Sequence, residues 1–92
     1  MAITKKLIHD LVTFTNNYID NPNIVIGISC YSNRYVVSRI EVWSLKYSYI
    51  NKHIGSISCH IHNEKEFIKY KQNVLEKLPK LLEQLNNKIN DM

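Results

Sequence analysis

The stretch Ser56-Ile57-Ser58-Cys59-His60-Ile61-His62 sets a thiol between two imidazoles within seven residues. These residue types bind zinc or, as a Cys–His pair, supply a nucleophile and its base. Either chemistry needs the side chains on one side of the backbone. The stretch instead alternates polar and apolar residues with period two, the pattern of a half-buried strand, so Ile57, Cys59 and Ile61 turn inward while Ser56, Ser58, His60 and His62 turn outward. Cys59 therefore shares no ligand with the histidines. His60 and His62 stand ~6.5–7 Å apart at Cα on one face, a spacing that lets two imidazoles chelate one ion. The further ligands zinc requires would have to come from Glu41 or His53. Metal binding is not expected; the histidines are read as surface groups that pair with Glu41 and stack on Trp43.

The other chemistry-bearing residues are sparse. Cys30 and Cys59 both take core-side positions, and under the pairing described below they lie ~25 Å apart along the sheet. No disulfide joins them, and two buried free thiols fit a reducing cytoplasm. No Gly-rich phosphate loop, nucleophile elbow or close pair of strand-end acids occurs. The expectation is a protein that is not an enzyme and uses no cofactor.

The elements that must position these residues follow from periodicity. Residues 3–19 place Leu7, Leu11, Phe14 and Tyr18 at helical spacing, with Ile8, Val12 and Ile19 on the adjoining stripe. Thr4 can cap this helix, and Pro22 stops it. From Asn23 the pattern switches to period two and to β-branched and aromatic residues. Ile24, Ile26, Ile28 and Cys30 face the core on one strand, and Val36, Ile40 and Val42 on the next. Equal parity requires a three-residue loop, Ser32-Asn33-Arg34, with Asn33 or Arg34 left-handed, and sets Ile24 opposite Val42 and Ile26 opposite Ile40. A third strand over about 54–62 buries odd positions. A two-residue turn at Asn51-Lys52 would place Val42 beside Ile61, Ser44 beside Cys59 and Glu41 across from His62, with residues 45–53 as strand or looser arm. Asn63 and Glu66 then stand at capping-box spacing. A long amphipathic helix follows, carrying Phe67, Tyr70, Val74, Leu78, Leu81, Leu82, Leu85 and Ile89, which Pro79 should kink or split.

The fold class is therefore α+β: a single domain over residues 1–92, in the order α-β-β-β-α, with three antiparallel strands and the helices on one face. A chain of 92 residues buries ~60–65% of its unfolded surface in one modest core. With 45% hydrophobic residues, two prolines and two glycines, disorder is not expected. No apolar run resembles a leader or approaches the ~20 residues that span a bilayer. A cytoplasmic protein with no membrane partner is expected. Ile, Lys, Asn and Tyr supply 40 of the residues, and lysine outnumbers arginine ten to two. All have A/T-rich codons, which points to a low-GC bacterium or its phage, and hence to a host cytoplasm. The net charge of +4 favours anionic partners, yet Asp10, Glu41, Glu64, Glu66, Glu76 and Glu83 interrupt any basic face.

The informative surface is the sheet face away from the helices, which collects Tyr31, Tyr35, Val37, Arg39, Glu41, Trp43, Tyr47, His60 and His62. Trp, Tyr and Arg are enriched at binding hot spots, and an open antiparallel face ordinarily carries a more polar set. These residues, Val37 aside, are the candidate binding site.

The order α-β-β-β-α resembles the double-stranded-RNA-binding domain, a resemblance that implies phosphate contacts from the first helix, the first hairpin loop and the start of the last helix. Here the last helix opens on Asn63-Glu64-Lys65-Glu66-Phe67, where that family has a lysine cluster, and Ser32-Asn33-Arg34 replaces its longer loop. A nucleic-acid reading would use Lys5, Lys6, Lys65, Lys69 and Lys71. The layout is also similar to small phage-encoded anti-CRISPR inhibitors, short antiparallel sheets flanked by helices. That similarity implies a non-enzymatic protein that occupies a host protein or ribonucleoprotein. A homodimer is a further expectation, since two strands are sheet edges and the leucines of 78–89 exceed what so small a core requires.

Overall fold

The structure, a computed structural model, describes residues 3–47 and 50–90, the side chains of 45–52 and 88–90 excepted. Thr4 caps the first helix as the sequence predicts: it is extended (φ −83°, ψ 153°) and its Oγ1 accepts the Leu7 N–H at 3.1 Å. The helix α1 runs Lys5–Asn16, shorter than the apolar pattern. Beyond it Tyr18 and Ile19 donate to carbonyls three residues back, so the last predicted turn tightens and leaves the α geometry. Asn21 Oδ1 then accepts the Asn23 N–H at 2.9 Å and launches the first strand.

Strand β1 (Ile24–Tyr31) pairs antiparallel with β2 (Tyr35–Tyr47) in the predicted register, Ile24 opposite Val42, Ile26 opposite Ile40 and Cys30 opposite Val36. Ser32 and Asn33 both take positive φ (49° and 60°), the sign pattern of a primed hairpin turn, closed by the Arg34 N–H on Tyr31 O at 2.9 Å. Asn33 is thus left-handed as expected, with Ser32 rather than Arg34 joining it. Asn33 O also accepts the Ile3 N–H at 2.8 Å, tying the start of the chain to this loop.

Strand β3 (Ile50–Ile61) completes a three-stranded antiparallel sheet in the order β1-β2-β3. Its register corrects the sequence reading. Ile61 lies opposite Val36, not Val42, and Cys59 opposite Ser38, not Ser44, because the chain reverses between the paired residues Tyr47 and Ile50 rather than at Asn51-Lys52. The error is six residues, an even number, so residues 55–61 keep their predicted faces, whereas Ile54, expected to face outward, packs against the core. Of segment 44–53, residues 44–47 and 50–53 are strand, a ribbon with register shifts between Val42 and Trp43 and between Ser44 and Tyr47, and residues 48 and 49 lie outside the described residues. At the first of these Ile54 is the extra residue of a bulge on β3.

Helix α2 (Glu64–Asn90) is continuous through Pro79, which does not split it. The carbonyl that Pro79 leaves without a donor belongs to Leu75, whose side chain is 62% exposed, so water can take the missing proton's place. Phe67, Tyr70, Val74, Leu78 and Leu85 are buried, and Leu81 and Leu82 pack on the core beside them. A methyl group at Gly55 would stand 2.5 Å from Leu81 Cδ2, so α2 crosses β3 there at close range. Leu78, Leu81, Leu82 and Leu85 of the second half of α2 are therefore all taken up by the core, and none of them is left over.

The two helices share one face of the sheet. Phe14 of α1 meets Phe67 and Tyr70 of α2 edge-on at 6.4 Å, and Leu7 and Leu11 join Val36, Ile40, Val42, Ile57 and Ile61 in the core. Ser38 is fully buried among them, its hydroxyl donating to that of Tyr70 at 2.9 Å. Burial pushes the Tyr70 phenol above its ordinary range. Coverage fades toward β1, where Cys30, predicted as a core thiol, is exposed. Cys59 is half-buried, and burial pushes its thiol up. The two are separated by one strand and two residues of register, ~12 Å rather than 25, still beyond the reach of a disulfide. No helix among the described residues is long and apolar enough to cross a membrane.

Candidate functional site

Successive odd residues of β2 project from the sheet away from the helices, so Tyr35, Val37, Arg39, Glu41 and Trp43 form one row along the middle strand. Their neighbours are set by register. On β1 the row is flanked by Tyr31, Ser29, Gly27 and Val25, and on β3 by His60, Ser58 and Ser56. Large side chains thus gather toward the two ends of the face, and Arg39 stands at its middle between Gly27 and Ser58.

At the hairpin-loop end Tyr31 stacks on Tyr35, ring centroids 5.0 Å apart and planes 13° from parallel. Tyr35 in turn meets His60 at 5.4 Å and His62 at 5.3 Å. The expectation that His60 and His62 pair with Glu41 and stack on Trp43 fails for the same six-residue reason as the register. His62 finds Glu66 instead: its backbone N–H donates to Glu66 Oε1 at 2.9 Å, and its Nδ1 lies 3.0 Å from the same oxygen. Asn63 Oδ1 accepts the Glu66 N–H at 2.9 Å, so the capping pair is real, with the glutamate reaching one residue further back than the standard box. These contacts, the His62 backbone bond foremost, hold the Glu66 carboxyl below its usual range.

At the other end the Trp43 indole Nε1–H donates to Glu41 Oε2 at 2.9 Å, and Arg39 Nη1 lies 3.4 Å from Glu41 Oε1. The indole bond is the main reason that the Glu41 carboxyl sits below its ordinary range, with Arg39 adding to it. His53, absent from the candidate set, packs on Trp43 with centroids 4.9 Å apart; the misplaced turn hid this pairing. Asn23 fixes the backbone here, its side-chain amide donating to Trp43 O at 2.9 Å. Arg39 keeps 58% of its side chain exposed, and its one ion-pair contact among the described residues occupies a single guanidinium nitrogen.

The sequence-predicted residues are thus brought to one face but in two clusters, Tyr31–Tyr35–His60–His62 and Arg39–Glu41–Trp43. The side chain of Tyr47 lies outside the described residues. Among the described residues no group of three or more His, Cys, Asp or Glu is placed to hold a metal ion. A second feature is a cavity of about 450 Å3 between the starts of α1 and α2, lined by Thr4, Lys6, Asp10, Glu64 and Lys65 among others and bordered by His62 of the first cluster. Two of the lysines of the nucleic-acid reading therefore meet there, opposed by two acids. No family model matches this chain, and no curated protein or solved structure matches it either.

Proposed function

We propose that this chain is a small non-enzymatic binding protein whose outer sheet face occupies a host protein or ribonucleoprotein, in the manner of a phage-encoded anti-CRISPR-type inhibitor. The observation that carries the reading is the arrangement around Arg39. An exposed guanidinium stands between two aromatic clusters whose rings are held in place, by the Tyr31–Tyr35 stack at one end and the Trp43–Glu41 bond at the other. Rigid aromatics lose little conformational freedom on binding, and a central Arg gives directed bonds to carboxylate, carbonyl or phosphate. The net charge of +4 draws such acidic surfaces in. The A/T-rich residue usage supports a phage or mobile-element source.

The test is affinity capture from the lysate of a low-GC bacterium with wild type and with Tyr35→Ala plus Trp43→Ala, followed by titration of the purified partner. The expected result is a partner retained by wild type and weakened about 100-fold or more by the double variant, as two hot-spot truncations imply. An unchanged set of captured proteins removes the outer face from consideration.

A second reading is favoured by the convergence of Lys6 and Lys65 at one cavity: nucleic acid held through its phosphates. It requires binding that weakens steeply with salt. Fluorescence anisotropy with duplex RNA, duplex DNA and single strands at low salt decides it, and no binding there removes it.

A further inference from the structure

The two edges of the sheet, β1 and β3, each present backbone N–H and C=O groups that no strand among the described residues takes up. β3 carries features that discourage another strand. Lys52, His53 and His60 lie along it, and the extra residue Ile54 breaks its ladder. β1 carries none of these. Its eight residues, Ile-Val-Ile-Gly-Ile-Ser-Cys-Tyr, hold no charge and no proline, and its pairing with β2 runs without a register shift.

The ladder fixes which groups point off the edge. The Trp43 N–H donates to Asn23 O at 2.8 Å, so Asn23 belongs to a hydrogen-bonded pair, and by alternation so do Val25, Gly27, Ser29 and Tyr31. The N–H and C=O groups of Ile26, Ile28 and Cys30 are then turned outward. Beside them the apolar surface is left open. Ile24, Ile26 and Ile28 line a groove of about 250 Å3 with Val12 and Ile19, which is 64% exposed, while Val25 is 49% exposed on the opposite face.

We propose that a second copy of this chain occupies the β1 edge, antiparallel about a twofold axis through Gly27, joining two sheets into one of six strands. Charge selects both the occupant and the direction. On a chain of net charge +4, which repels its own copies, this edge is a stretch without charge. Asp20 precedes β1 and Arg34 follows it, so antiparallel pairing brings Arg34 of each copy toward Asp20 of the other, whereas parallel pairing would oppose Arg34 to itself. Centring on Gly27 sets Ile26 opposite Ile28 and Val25 opposite Ser29 across the axis. It also places at the closest approach of the two strands a residue with no side chain, where Cα atoms come within ~4.5 Å. The two grooves then close on each other.

Sedimentation velocity of the full chain from low to high micromolar concentration should show mass rising from 10.9 kDa toward twice that value. Val25→Lys with Ser29→Lys changes only exposed side chains and opposes lysines across the axis. It should raise the dimer dissociation constant about tenfold or more with little change in melting temperature. Val25→Cys with Ser29→Cys in a Cys30→Ser background should give a covalent dimer on mild oxidation. The proposal is overturned by a mass of 10.9 kDa at the highest concentration, which leaves the edge to a strand from another protein, or by a dimer that the lysine pair does not weaken. A lysine-sensitive dimer that fails to cross-link overturns the Gly27 axis. None of these outcomes depends on Tyr35 or Trp43, so failure of the outer-face reading would be seen separately.

Discussion

The Ser38 hydroxyl is fully buried and donates to the Tyr70 hydroxyl 2.9 Å away. Removing one partner strands the other in a dry core, which costs more than removing both. Tyr70→Phe should therefore lose about 1–3 kcal/mol by urea unfolding, and Ser38→Ala added to it should recover part of that loss. The same pair sets an alkaline limit. The folded pKa of Tyr70 lies above its ordinary value of 10.0, so the neutral phenol's contribution is intact below pH 10 and is lost as pH rises beyond it. Tyr70→Phe should flatten that alkaline fall in melting temperature. His60 and His62 behave oppositely. Both are exposed, and Glu66 accepts from the backbone at position 62 whatever side chain stands there. His60→Ala with His62→Ala should leave the melting temperature nearly unchanged, whereas Ile61→Asp, at a position with no exposed surface, should unfold the domain. Alternation in the sequence suffices for the histidines and Ile61. It does not reveal what satisfies Ser38, because the partner comes 32 residues later on another element.

At the scale of elements, what was legible depended on whether local chemistry or geometry fixes the feature. The first hairpin follows from parity and a loop too short to permit another register, and the caps at Thr4 and Asn63 follow from side chains that bond their own neighbours. The β2–β3 register was not legible, because a slip of six residues leaves the hydrophobic pattern unchanged. Only the turn and a contact with a distant element distinguish the two pairings. That contact is Leu81 on Gly55. In the true register Gly55 lies opposite Val42, where Leu81 of α2 stands close against the strand. Gly55→Val should lower stability by about 1–3 kcal/mol as an overpacked site, and Leu81→Ala, which removes the methyls in the way, should restore part of it. Failure of that compensation in a double-mutant cycle would show that α2 does not cross β3 at Gly55. The same register explains the split site: it carries His60 and His62 toward Tyr35 and leaves Trp43 to His53.

The molecule as a whole is long and thin, 49 × 25 × 18 Å, because its longest elements match. From Ile61 back to Gly55 β3 runs six residues, ~20 Å at the usual rise. From Phe67 to Leu81 α2 runs fourteen, ~21 Å. The helix therefore keeps step with the strand beneath it, and its second half has the rest of the ribbon to cover. That division separates folding from binding. The helix side holds the core, and the row from Tyr35 to Trp43 lies on the opposite surface, so the two can be damaged independently. Leu78 and Leu85 are nearly inaccessible to solvent and belong to the second half of α2. Replacing both with alanine removes about 2–5 kcal/mol each, comparable with the ~5–14 kcal/mol that a domain of this size has in all. Leu78→Ala with Leu85→Ala should therefore be unfolded or nearly so at 37 °C by circular dichroism. Tyr35→Ala with Trp43→Ala should keep a cooperative transition within a few degrees of wild type. Were the leucine pair to melt normally, the ribbon would need no cover. The helix would then owe its length to something other than the sheet.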